Sequence, residues 1–315
     1  MKKLRTITIF VLLFILQQQN TYCQKITFNP KQHKNAPLTF SFTFPNHSIQ
    51  GIFAGDTLSS KPLLIFITGS GKNPLYTVIN DSLYYPLFPK TIIQHENYNV
   101  LMLSKLNIPA IVERKRLSKD YSYLSYKGSE ESYTLDFYTA YYRLLIDNLK
   151  KYIPYSKLIV MGHSEGARTV AELCNNNSII DKFIYMSADP LGRIASVYNP
   201  NHLNGIQENI ATNFLDSLLC DSNKKMTYLG DSFKTWKSFS KPSLPSLTNT
   251  NKKVLIVYGT HDTSCPNCYS FSFLPHFYKN ITVLEYKGYN HNFFDLNSIN
   301  NWNKVMKDVM KWIEK

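Results

Sequence analysis

Leu158-Ile159-Val160-Met161-Gly162-His163-Ser164-Glu165-Gly166 passes from an unbroken apolar run into a glycine-flanked serine, and a helix-like stretch follows over residues 167–174. A short apolar run bounded by turn residues reads as a strand buried on both faces. The Gly-x-Ser-x-Gly pattern at its end fits a sharp strand-to-helix turn that holds a serine hydroxyl clear of the sheet. Ser164 is therefore the candidate nucleophile.

Working outward, residues 38–44 and 49–53 read as an antiparallel hairpin turned by Pro45-Asn46-His47. Leu63-Leu64-Ile65-Phe66-Ile67 is a second unbroken apolar run, stopped by Thr68-Gly69-Ser70-Gly71. Strand-like and helix-like stretches then alternate: 100–103 before a helix over 133–149, and 158–161 before the helix over 167–174. Strand-like runs at 183–186, 254–258 and 281–286 precede a final helix over 299–313. This order predicts an α/β fold with a mainly parallel sheet, helices on both faces and an N-terminal antiparallel hairpin. Residues 189–251 break the rhythm, being polar and rich in Asn, Ser and Pro. A connection of that length is uncommon unless functional, so a lid insertion is expected there.

A serine hydroxyl is a weak nucleophile until a base takes its proton and a third group orients that base. With this turn the partners are expected in the order Ser, acid, His. Of the histidines after Ser164, His202 falls in the insertion, His261 adjoins the best acid, and His276 reads as a packing residue. His291, in Gly288-Tyr289-Asn290-His291-Asn292, lies in a polar loop between the last strand and the last helix and is the candidate base. Asp262, in Tyr258-Gly259-Thr260-His261-Asp262, stands at a strand's carboxyl end, where open α/β sheets gather functional groups. Asp189 keeps the required order as an alternative acid, whereas Asp295 reads better as a turn or cap residue. The backbone N–H groups of Ser70 and Glu165 are the candidate oxyanion donors, one from the loop after the third strand and one beside the nucleophile. The Glu165 side chain is expected simply to occupy a helix N-terminus, where negative charge is favourable. No cofactor and no metal is expected to take part.

These pieces together resemble the α/β-hydrolase superfamily, in particular exported esterases and prolyl-oligopeptidase-like hydrolases, over residues 38–313. Many relatives carry His where this chain has Thr68, before the oxyanion-loop glycine. The resemblance implies hydrolysis of esters, thioesters or amides through an acyl-enzyme, without a metal. A carboxylic ester hydrolase is the first expectation. A serine peptidase and a non-catalytic binding protein on the same scaffold are the alternatives, with a small-molecule or peptide acyl compound as the partner.

Composition sets the frame for this reading. The 315 residues are 43% hydrophobic and 18% charged, which suits a globular chain able to bury a large core. One domain over 24–315 is expected, because α/β folds of roughly 200–250 residues or more commonly share one core. Lys2, Lys3 and Arg5 before an apolar stretch at 7–16 read as a signal peptide over 1–23, giving an exported, periplasmic or secreted protein beginning at Gln24. Lipidation at Cys23 is disfavoured by the bulk of Tyr22 before it. Loss of those three basic residues lowers the formal net charge from +13 to +10. The lysines are spread without a block of like charges, so they read as a solvated surface rather than a nucleic-acid site. Beyond the N-terminus no segment is apolar for long enough to span a bilayer. Cys174, Cys220, Cys265 and Cys268 would remain, and Cys265-Pro266-Asn267-Cys268 reads as a local disulfide or two free thiols, since the sequence holds no second pair at zinc-ligand spacing.

Overall fold

The unbroken apolar runs become the centre of a sheet covered on both faces. The computed structural model describes residues 25–29, 38–80, 82–84, 93, 96–119, 121–124, 133–175, 178–196, 227–228 and 231–315. The signal peptide, Cys23, Cys220, His202 and most of the first half of the expected lid lie outside the described residues. In chain order the strands before the first long helix are β1 (Lys25–Asn29), β2 (Leu38–Thr43), β3 (Ser48–Ala54), β4 (Leu63–Ile67), β5 (Tyr76–Ile79), β6 (Ser82–Tyr84), β7 (Asn99–Leu103) and β8 (Ile111–Glu113). Then come α1 (Leu135–Leu149), β9 (Leu158–His163), α2 (Glu165–Cys174), β10 (Lys182–Met186), β11 (Thr227–Tyr228), β12 (Asp231–Ser232), α3 (Phe233–Phe239) and α4 (Leu244–Thr248). The chain closes with β13 (Lys253–Gly259), a 3-10 turn over Pro266–Phe273, α5 (Leu274–Phe277), β14 (Ile281–Tyr286) and α6 (Trp302–Ile313).

Among the described residues the main sheet has nine strands in the order β1-β2-β3-β7-β4-β9-β10-β13-β14. β1, β2, β3 and β7 pair antiparallel, and from β7 to β14 every pairing is parallel. Side chains alternate between faces along each central strand. Leu63, Ile65, Leu158, Val160, Phe183, Tyr185, Val254 and Ile256 pack with α1 and α2 on one face. Leu64, Phe66, Ile159, Met161, Ile184, Met186, Leu255 and Val257 pack with Trp302, Val305, Met306 and Val309 of α6 on the other. Each such side chain contributes about 1.5–3 kcal/mol on burial. Both faces being apolar, the strands read as continuous runs rather than alternating ones.

The structure refines several sequence boundaries. α1 starts at Leu135 behind a Thr134 cap, whose hydroxyl accepts from the Phe137 N–H at 3.4 Å. α2 begins directly after the serine, two residues ahead of the expected stretch. α6 starts only at Trp302, because Asp295 Oδ1 accepts from the Asn297 and Ile299 N–H groups, both at 2.9 Å, and holds 295–299 as a turn. β1 and the small sheet β6-β5-β8 lie outside the sequence expectation. The described second half of the 189–251 stretch carries two short helices: α3 and α4 pack there, with Ser238 Oγ accepting from Leu135 N–H at 2.7 Å. No helix among the described residues is long and apolar enough to cross a membrane.

Candidate active site

The parallel strands all end on one edge of the sheet, and the candidate residues follow those ends. Ser164 leaves β9 with φ 56° and ψ −122°, a left-handed conformation that costs a non-glycine residue about 1–3 kcal/mol. Its N–H donates to Met186 O at 2.8 Å, which ties the turn to β10. The flanking glycines are required by contact: a Cβ on Gly162 would lie 2.3 Å from Gly166 O, and one on Gly166 would lie 2.3 Å from Ile67 O. The motif thus lets α2 leave β9 while pressed against β4.

Three residues distant in sequence meet at this turn. His291 Nε2 lies 3.0 Å from Ser164 Oγ, and His291 Nδ1 lies 2.9 and 3.0 Å from the two carboxylate oxygens of Asp262. Asp262 is 4% exposed, and its Oδ1 also accepts from the Ser264 and Cys265 N–H groups, each at 2.9 Å. A buried carboxylate on Nδ1 holds the proton there and leaves Nε2 as the acceptor facing Ser164. Burial works to lower the His291 pKa, but the Asp262 and Cys265 hydrogen bonds outweigh it and raise the ring above its ordinary value of 6.5. The loop Thr68-Gly69-Ser70-Gly71 runs beside the serine, since a Cβ on Gly69 would lie 3.1 Å from Ser164 Cβ. The Glu165 N–H belongs to the first turn of α2, where amides lack an intrahelical acceptor.

The other candidates fall elsewhere. Asp189 is buried, accepts from Asn267 Nδ2 at 2.7 Å and from Leu191 N–H at 2.9 Å, and shares no hydrogen bond with His291. His276 is exposed on α5 rather than packed, because Leu274 is the residue that α5 buries and Phe271 packs from the 3-10 turn before it. His261 is exposed as well.

Sequence reasoning missed three groups around the serine. His163, the variable residue of the motif, is buried with its pKa pushed down to about 3, by burial first and by the nearby His291 charge second. It is therefore neutral, and its Nε2–H donates to His291 O at 2.9 Å, fixing the loop that carries the candidate base. Glu165 does occupy the N-terminus of α2 as expected, but what the sequence missed is that it is buried there: 6% exposed, it is ion-paired with Lys105 and faces Arg193 Nη1 at 3.6 Å. Arg193 in turn binds Asp231 Oδ2 at 2.6 Å and stacks over Trp236 at 3.8 Å, joining the two described ends of the insertion. Burial would raise the Glu165 pKa, but Lys105 and Arg193 hold it below the usual carboxylate range. Third, Cys265 and Cys268 are free buried thiols, one of the two states expected, but the sequence did not show that Cys265 lies beside Asp262 and His291. Lys105 had a usable signal, since it follows the carboxyl end of β7, where the other site residues also cluster.

No protein-family model matches this chain, and no curated protein matches it in sequence. Solved structures do match. Est1E from Butyrivibrio proteoclasticus superimposes with a TM-score of 0.55 at 15% identity, over 87% of this chain and 97% of that one. Acetyl xylan esterase 1 from Thermoanaerobacterium sp. JW/SL YS485 gives 0.55 at 12% identity, over 92% and 88%. The Pyrococcus horikoshii acylaminoacyl peptidase gives 0.56 at 15% identity, over 91% of this chain and 42% of the peptidase. Sheet order, the serine turn at the end of β9 and these neighbours agree: the chain has the α/β-hydrolase fold.

Proposed function

We propose that this protein is a serine hydrolase that cleaves a carboxylic ester through an acyl-enzyme. The observation that carries the reading is the 3.0 Å contact between His291 Nε2 and Ser164 Oγ, backed by Asp262 on Nδ1. Neutral His291 takes the hydroxyl proton as Ser164 Oγ attacks the acyl carbon. The imidazolium, held by Asp262, then gives that proton to the leaving oxygen, and water repeats the cycle to free the acid. The Glu165 and Ser70 N–H groups are assigned to the oxyanion, each donor of this kind being worth roughly 10²–10³ in rate. An ester is preferred to a peptide because acetyl xylan esterase 1 is matched over 88% of its length and the peptidase over only 42% of its own.

Turnover of short nitrophenyl esters tests the assignment. Ser164→Ala is expected to remove it while leaving the far-ultraviolet circular dichroism unchanged. Undiminished turnover in that variant would refute the nucleophile.

A further inference from the structure

The thiols of Cys265-Pro266-Asn267-Cys268 have no part in the hydrolytic scheme, yet the loop after β13 places Cys265 inside the site. One ligand atom each from Asp262, Cys265 and His291 lies within 4.8 Å of the other two. The ring nitrogen that faces Asp262 is Nδ1, at 2.9 Å. Cys265 Sγ lies 3.5 Å from Ser187 O and Cys268 Sγ 3.2 Å from Ala188 O, so the two sulfurs point at consecutive carbonyls of the loop after β10. Both thiols are buried and free. The sequence holds no second cysteine or histidine pair at zinc-ligand spacing, but the fold supplies a carboxylate and an imidazole in its place.

We propose that Asp262, Cys265 and His291, with Cys268 as fourth donor, form a binding site for a thiophilic divalent cation such as Zn2+, and that its occupation switches off Ser164. Two thiolates, an imidazole nitrogen and a carboxylate oxygen make a tetrahedral zinc donor set, with ligand bonds of about 2.0–2.3 Å. The first three donors already lie within 4.8 Å of one another and reach one ion by small side-chain movements, with Cys268 brought in from the same loop. Binding releases the two thiol protons to solvent. The Nδ1 proton that faced Asp262 is given up to solvent and one is taken up from solvent at Nε2, so the ring stays neutral, its Nδ1 lone pair binds the metal and its hydrogen sits on Nε2. A protonated Nε2 donates to Ser164 Oγ and cannot accept from it, and the carboxylate that oriented the base is engaged by the metal. The inhibitory half of this proposal rests on the hydrolase reading; the binding half does not.

The test uses the full chain, reduced and stripped of metal with EDTA before buffer exchange. Titration with Co2+ should give a saturable near-ultraviolet thiolate-to-cobalt charge-transfer band that Zn2+ displaces. Ser164→Ala should keep the band, because Ser164 is not a ligand. Zn2+ should suppress ester turnover and EDTA restore it. In Cys265→Ser and in Cys268→Ser the Zn2+ concentration for half-inhibition should rise by about tenfold or more, each variant being compared with its own metal-free rate. A folded, reduced wild-type chain without the band overturns the site. So does Zn2+ inhibition that is unchanged in both cysteine variants. A band without loss of turnover overturns the switch. A band in a chain that neither turns over esters nor takes a phosphonate supports the metal site and defeats the hydrolase reading instead.

Discussion

His291 faces two opposed requirements, because the same Asp262 contact that orients the ring also favours its charged form. Its pKa is raised above 6.5, while general-base action requires the neutral ring. The half-rise of kcat/KM with pH is therefore expected above pH 6.5, and an ester pH profile with its half-rise below 6.5 would contradict the geometry. The stability sign runs the other way: a raised folded pKa stabilises the fold fully below 6.5, and that contribution is lost as pH rises through the folded value. His163 acts on the same ring through the backbone. His163→Phe removes a donor to His291 O worth about 1 kcal/mol, so kcat should fall roughly fivefold with KM held, measured per phosphonate-titrated site. His163→Gln, which keeps a donor, should fall less. Ser164, Asp262 and His291 were readable because each follows a strand in a fixed chain order. The role of His163 was not, since nothing in a motif tells a buried histidine from an exposed one.

At the scale of elements, the N-terminus of α2 is tied to β7 and to the insertion through one buried carboxylate. Glu165→Gln leaves Lys105 without its anion, and removing one partner of a buried pair costs about 3–5 kcal/mol. Urea unfolding of the purified variant should show a loss of that order. A change within experimental error would mean that the pair contributes nothing net. With a lowered folded pKa, the stabilisation from Glu165 is present above the unfolded value near 4.5 and is lost as pH falls through the folded one. This network was hidden in the sequence because Lys105 and Arg193 stand 60 residues before and 28 residues after Glu165. The central strands were legible because burial on both faces writes them as unbroken apolar runs. β1, β6 and β8 were not, since short edge strands carry no such run, and β5, though buried between β6 and β8, is only four residues long. The 189–251 stretch concealed α3 and α4 because their buried faces are set by few apolar residues among polar ones, Phe233, Trp236 and Phe239 in α3 and Leu247 in α4.

At the scale of the whole molecule, the site exists only when the sheet is assembled. Ser164 and His291 are 127 residues apart in sequence, and His291 and Asp262 are 29 apart. β9, β10, β13 and β14 must lie side by side, in register, before the loops after β9, β13 and β14 can meet. The parallel pairings β9 to β10, β10 to β13 and β13 to β14 provide that scaffold. The most direct test of the central claim is therefore fluorophosphonate labelling followed by peptide mass mapping, repeated across a denaturant series. The account predicts one adduct, on Ser164, absent in Ser164→Ala and lost at the same denaturant midpoint as the circular dichroism. A folded chain that takes no label, or takes it at another residue, would contradict it.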